Sequence, residues 1–139
     1  MTVPSGGPIE LVAAAEALRA GQLVCMPTES SYGIAADIRQ PAALDRLIAL
    51  KAHRPDSSPF ALIAADLPSA RQLARVWPAP AADLAKRFWP GPLTLVVPAR
   101  SGVASCLVGP DGGVGVRVPS HTVARAQAAT HGAVNTPTS

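Results

Sequence analysis

The side chains able to do chemistry stand in three places. The first is Thr28-Glu29-Ser30-Ser31-Tyr32, five hydrogen-bonding residues that follow Pro27 at the end of the apolar run Leu23-Val24-Cys25-Met26. The second is Lys51-Ala52-His53-Arg54, at a helix end closed by Pro55, which disfavours helix at the residue before it. The third is Arg117, enclosed in Val116-Arg117-Val118-Pro119. Hydroxyls, a lysine and arginines in loops suit an anionic ligand and transfer at phosphorus. There, positioning and charge neutralisation carry the catalysis and no covalent protein nucleophile is needed. Each feature also has a plainer reading. Residues 27–33 also read as an ordinary hydroxyl-rich turn, and the cations at 51–54 complement a helix dipole. Arginine is seldom buried without a partner, so Arg117 is expected to face a carboxylate or a bound anion.

Other chemistries fit less well. No Walker A sequence is present, and Gly112-Gly113-Val114-Gly115 opens no helix and reads as a hairpin turn. No His, Cys and carboxylate set has zinc spacing, so no metal site is expected. Cys25 could pair with His53 or His121 as a nucleophile, but its apolar neighbours mark it as a buried small hydrophobe. Cys25 and Cys106 make no disulfide framework.

The elements that must position these residues follow from periodicity. A helix is expected over Ile9–Ala20, stopped by Gly21, then a strand over Gln22–Met26. Pro41 suits the first position of a helix running to Lys51, with Leu44, Leu47, Ile48 and Lys51 on one face. Phe60–Ala64 is strand-like. Ser69–Trp77 and Pro80–Trp89 read as helices, with Ser69 placed to cap the first. The turn Pro90-Gly91-Pro92 feeds a strand rich in β-branched residues through Val97. Another strand runs over Gly113–Val118, then a helix over Ser120–Ala129, and a last strand begins after Gly132. Helices and strands interleave, which predicts an α/β fold with helices packed on a sheet.

The 139 residues amount to one domain. Apolar residues make up 48%, enough for a real core, and the scattered 15% charge excludes a disordered polyelectrolyte. Aromatics at 4% argue against a stacking platform for single strands. The net charge of +3 hints weakly at an anionic partner. Ten of the twelve cations are arginine, which either follows codon bias or serves phosphate and carboxylate recognition. No apolar run is long enough to span a membrane, and the N-terminus lacks a secretory pattern, so the cytoplasm is the expected compartment.

Five segments, in order, resemble the YrdC family of threonylcarbamoyl-AMP synthases. Pro27-Thr28-Glu29-Ser30-Ser31-Tyr32-Gly33-Ile34 is similar to the family's P-T-E-T-x-Y-G-L, and Leu50-Lys51-Ala52-His53-Arg54-Pro55 to its L-K-x-R-P. Phe88-Trp89-Pro90-Gly91-Pro92-Leu93-Thr94 matches F-W-P-G-P-L-T. Val116-Arg117-Val118-Pro119 with His121 resembles V-R-x-P-x-H, and Thr138-Ser139 opens T-S-A-N. The resemblance implies a twisted mixed α/β sheet with flanking helices around a basic concave cavity. It divides the chain into a flexible leader, 1–8, and a single YrdC-like domain, 9–139, short at its C-terminal end.

The resemblance further implies synthesis of threonylcarbamoyl-adenylate from L-threonine, bicarbonate and ATP, with Mg²⁺ and release of pyrophosphate, for tRNA threonylcarbamoyladenosine. Thr28 and Tyr32 would bind threonine. Lys51 and Arg54 would be catalytic and meet the ATP phosphates and the threonine carboxylate, with Arg117 and Ser139 completing the nucleotide site. An alternative is a YciO-like paralogue, or a binder of tRNA or double-stranded RNA without synthase activity. Two departures favour it. Two residues rather than one separate Lys51 from Arg54, so His53 or Arg54 fills the arginine slot, and one extra residue rotates a helical side chain by about 100°. The family's Ala-Asn after Ser139 is also absent, along with later strands. By that resemblance, a sheet without them would leave an edge unpaired, and the chain would be either a fragment or a shortened member.

Overall fold

The computed structural model describes residues 8–27, 32–51, 60–121 and 134–136. The expected leader lies outside these except for Pro8, which opens helix α1 (Pro8–Arg19). Ala14, Ala15 and Leu18 form its buried face. Gly21, at φ +81°, closes it. The Gly21 and Gln22 amides donate back to the carbonyls of Leu18 and Ala17, satisfying the helix's last acceptors.

Strand β1 (Val24–Pro27) pairs antiparallel with β2 (Tyr32–Ala35), in a register that sets Pro27 opposite Tyr32 and Val24 opposite Ala35. The polar segment is therefore shorter than the sequence suggests: its Tyr32-Gly33 end belongs to a strand. Helix α2 (Pro41–Lys51) has the expected bounds. The Gln40 carbonyl accepts from Ala43 and Leu44, and Ala43, Leu44 and Leu47 are buried. Arg46 Nη1 donates to the Gly21 carbonyl at 2.7 Å, tying α2 to the end of α1.

The second strand set holds β3 (Ala61–Ile63), β4 (Leu95–Pro98), β5 (Gly113–Arg117) and β6 (Val134–Thr136), in spatial order β4-β5-β3-β6. The sheet is mixed. β5 runs parallel to β3, while β4 and β6 are antiparallel to their neighbours. The strands thus divide between a two-stranded ribbon and a four-stranded sheet, and β2 lies beside β6.

Between β3 and β4 come α3 (Leu67–Arg71) and α4 (Ala79–Phe88). Ala70, Ala81 and Ala85 bring them close against Leu62, Leu95, Val97, Val114 and Val116, with Ala74 of the connecting segment in the same cluster. Small residues on the helices and branched ones on the strands let the two layers interdigitate. Successive strand residues point to opposite faces, so Ile63, next to Leu62, enters a different cluster with Ala14, Leu18, Val24 and Ala35. α1 and the ribbon therefore cover the sheet on the side away from α3 and α4. Each fully buried Leu, Ile or Val contributes roughly 1.5–3 kcal/mol.

Several expectations need correction. α3 ends at Arg71, not Trp77, because the chain then zips onto β4. Ala74 bridges Ala99, the Arg75 amide donates to the Pro98 carbonyl, and the Arg100 amide donates to that of Leu73. Its cap is Asp66, whose carboxylate accepts from the Ser69 amide at 2.9 Å, so Ser69 is the capped residue and not the cap. Cys25 is half-buried. Gly113 and Gly115 lie within β5, so the turn ends at Gly112, φ +80°. The expected helix after Ser120 falls largely outside the described residues, and Ser120 and His121 themselves are not helical.

Candidate functional site

The site is built around the end of β5. Alternation places Gly113, Gly115 and Arg117 on one strand face and Val114 and Val116 on the core face. Arg117 is the last residue of β5, opposite Ile63 on the parallel strand β3. In open α/β sheets, ligands bind beyond the carboxyl ends of parallel strands, and Arg117 stands at that end.

The side chain of Arg117 is 8% exposed. Its Nε donates to the Gly91 carbonyl at 3.2 Å, and the Gly91 amide donates to the Val118 carbonyl at 2.8 Å. A backbone carbonyl is thus one partner of the guanidinium, a type the sequence reading did not foresee. Burial pushes the Arg117 pKa down from its ordinary value, yet a guanidinium stays charged at any physiological pH. The result is a fixed cation held in a low-dielectric wall, where its attraction for an anion is stronger than in water.

The segment 89–93 is held against α4 and its neighbours by its own bonds. Trp89 Nε1 donates to the Leu93 carbonyl at 2.7 Å. The Trp89 ring lies 6.0 Å from that of Trp77, inclined at 48°. The Trp89–Pro90 peptide is cis. A Cβ on Gly91 would overlap the Phe88 carbonyl oxygen, so this turn needs glycine. The turn after Phe88 places the Gly91 carbonyl where the Arg117 Nε donates to it.

Toward the start of β5 the same sheet carries a cavity of about 230 Å³. Gly113, Gly115 and Ala61 line it beside Thr94, Val96 and Phe60. Val96 is 74% exposed, so this stretch of the sheet is open to solvent.

The other predicted site residues divide in two groups. Thr28, Arg54 and Ser139 lie outside the described residues, as does His53. Tyr32 opens β2 opposite Pro27, and Lys51 ends α2. Among the described residues, no group of three or more His, Cys, Asp or Glu is arranged to hold a metal ion. No helix among them is long and apolar enough to cross a membrane.

Sequence reasoning missed Asp37. Its side chain is wholly buried, and both carboxylate oxygens accept from the Arg39 guanidinium at 2.9 Å. The Arg39 amide donates to Oδ1 at 2.9 Å and the Gln40 amide to the Asp37 carbonyl at 3.0 Å. The hydrogen bond to Asp37 raises the Arg39 pKa, with burial opposing it. An Asp two residues from an Arg is a common pairing on a surface, and only the fold shows that this one is enclosed.

Residues 16–139 match the Sua5/YciO/YrdC family model, which carries the description "Telomere recombination". The chain belongs to this family. A threonylcarbamoyl-AMP synthase of Pyrococcus abyssi is 40% identical over 111 residues, 80% of this chain and 32% of that protein. The enzyme of the same name from Halorhodospira halophila is 40% identical over 126 residues, 88% of this chain and 64% of that one. The chain thus spans 32% and 64% of the length of these two relatives. Among solved structures, P. abyssi Sua5 complexed with L-threonine superposes with a TM-score of 0.87 at 33% identity, covering 99% of this chain and 40% of that one. E. coli YciO superposes at 0.84 with 25% identity, covering 98% and 66%. The mixed α/β fold expected from the resemblance is the fold of these proteins.

Proposed function

We propose that the chain is a threonylcarbamoyl-AMP synthase that forms the mixed anhydride from L-threonine, bicarbonate and ATP. The observation that carries this reading is the match, over 99% of the chain, to a structure that binds L-threonine. In the reaction, the threonine amine attacks CO₂ derived from bicarbonate and becomes a carbamate. A carbamate oxygen attacks the α-phosphorus, and pyrophosphate leaves with the electron pair of the broken P–O bond. Negative charge grows on the bridging oxygen and the phosphoryl oxygens. Fixed cations whose positions need no rearrangement are what such a step requires.

In this reading Arg117 supplies one such cation on the nucleotide side, with its direction set by the Gly91 carbonyl. Lys51 and Arg54 face the triphosphate, Ser139 contacts a phosphate, and Thr28 and Tyr32 hold threonine. Mg²⁺ ordinarily binds through substrate phosphates and one or two carboxylates. It would therefore ride on the triphosphate and screen its charge. The product serves tRNA threonylcarbamoyladenosine formation in the cytoplasm.

The test is pyrophosphate release by the folded chain. It should require both threonine and bicarbonate and fall to background when either is omitted. Release indifferent to threonine would refute the reading.

The likeness to YciO favours a second reading, a paralogue that keeps the fold and binds double-stranded RNA or tRNA without synthase activity. Its affinity for RNA would then fall steeply with salt through counterion release. Tight, salt-sensitive binding of RNA together with no pyrophosphate release would select it over the synthase.

A further inference from the structure

Among the described residues, Asp37 is a buried charged group for which the proposed chemistry has no use. It stands between two elements that do matter there: β2, which opens with Tyr32, and α2, which ends with Lys51. We infer that Asp37 is a positioning residue, which fixes the angle between β2 and α2 and so the place of Lys51 relative to Tyr32. The inference rests on the synthase reading above.

The geometry is unusually constrained for a turn. An exposed Asx turn would suffice to start a helix. Here the carboxylate is withdrawn from water, which is costly unless every oxygen is matched. The two-pronged clasp of Arg39 matches both oxygens at 2.9 Å, and the Arg39 amide adds a third bond. The Gln40 amide then closes onto the Asp37 carbonyl, and the Gln40 carbonyl begins the helix ladder through Ala43 and Leu44. One residue earlier, Ala36 is buried with Ala43 and Leu47 of α2. Strand and helix are therefore joined at two adjacent points, by packing at Ala36 and by hydrogen bonds at Asp37. Together these leave one angle open to α2.

That angle has leverage. The 11 residues of α2 extend about 16 Å at 1.5 Å per residue. A tilt of about 4° at Gln40 displaces the far end, where Lys51 stands, by about 1 Å over that length. A misplacement of about 1 Å remote from the chemistry can cost roughly 100-fold in rate. Arg39 remains more than half exposed, so the clasp lies at the surface, and the carboxylate it encloses transmits the constraint inward.

The experiment compares pyrophosphate release and threonine binding by the wild-type chain and four variants, each scaled to its folded fraction. Asp37→Ala removes every side-chain bond. Asp37→Asn keeps an acceptor for the Arg39 amide and loses the charge. Arg39→Lys keeps the charge and loses the two-pronged clasp. Asp66→Ala removes the cap of α3, between β3 and β4, and serves as the stability control. Asp37→Ala should lower kcat/KM on the order of 100-fold, more through kcat than through KM. Asp37→Asn and Arg39→Lys should fall below wild type by no more than about 10-fold, and Asp66→Ala should keep wild-type kinetics. If Asp37→Ala does not fold, Arg39→Lys carries the comparison against Asp66→Ala, and wild-type kcat and KM in Arg39→Lys then overturn the inference. Wild-type kcat and KM in Asp37→Ala would overturn the inference alone. So would a loss in Asp66→Ala proportional to its lost stability, because the effect would then be merely structural. A wild-type chain silent in both assays would overturn the synthase reading and this inference with it.

Discussion

Gly91 and Arg117 hold one another in place. The Arg117 Nε donates to the Gly91 carbonyl at 3.2 Å, while the Gly91 amide donates to the carbonyl of Val118, the next residue, at 2.8 Å. The turn after α4 is thereby fastened to the end of β5, and the buried guanidinium takes its orientation from it. A side chain 26 residues away along the chain thus depends on a turn that supplies none of the proposed ligand contacts.

Gly91→Ala tests this dependence. The added Cβ would meet the Phe88 carbonyl oxygen, and backbone has little room to yield. Overpacking of this kind costs about 1–3 kcal/mol. The variant should melt several degrees lower and bind ATP more weakly than wild type. Thermal melting and titration calorimetry on the same sample would show both effects.

Arg117→Met keeps much of the apolar stem and removes the charge. It leaves the Gly91 carbonyl without its Nε donor and takes the cation from the proposed nucleotide side. Hydrogen bonds to charged groups are worth about 1.5–3 kcal/mol, so ATP affinity should fall by about 10-fold or more. Threonine affinity, measured alone, should change less.

The pH dependence of this residue has a definite sign. Burial lowers the folded-state pKa of Arg117, so the unfolded chain holds that proton more tightly. The group therefore subtracts a constant amount from stability at all pH values below its folded pKa. This penalty fades only as the pH climbs from the folded pKa toward the unfolded one. Both lie in the strongly alkaline range of guanidinium, so between about pH 6 and 9 the stability curves of wild type and Arg117→Met should run parallel. Divergence in that window, measured by denaturant midpoints, would show that burial moves Arg117 much further than inferred.

Asp66→Ala removes the cap of α3, whose carboxylate accepts from the Ser69 amide. Loss of an N-cap costs about 1 kcal/mol. For a chain of this size that corresponds to a fall of about 3–5 °C in melting temperature. Ser69→Ala, by contrast, should be nearly silent, because the Ser69 amide is what the cap uses. Equal effects in the two variants would contradict the cap assignment.

Parts of this architecture were legible in the sequence and parts were not, for physical reasons. α2 has its expected bounds because Pro41 starts it and Leu44 and Leu47 mark its inner face. β3 and β5 were visible as apolar runs. β2 was hidden because Tyr32-Gly33 closes a polar run, and only pairing with Met26 and Pro27 makes it a strand. The helical spacing of α3 continues past Arg71, but the Arg75 amide bonds to the Pro98 carbonyl of β4 and the Arg100 amide to the Leu73 carbonyl, and these tertiary bonds end the helix. The burial of Arg117 followed from its flanking valines. Its Gly91 partner did not, since a backbone carbonyl brought in from another segment leaves no mark in composition. Asp37 was silent for the same reason: enclosure is a property of the fold.

In the synthase reading the end of β5, with Arg117 turned by Gly91, forms part of a site for threonine and ATP. The decisive experiment is titration calorimetry on the folded wild-type chain, with each ligand added separately and Arg117→Met in parallel. Both ligands should give saturable heats, and the variant should show a marked loss for ATP with threonine largely retained. A chain that unfolds cooperatively yet gives no heat with threonine, or binds ATP equally well without Arg117, would contradict it.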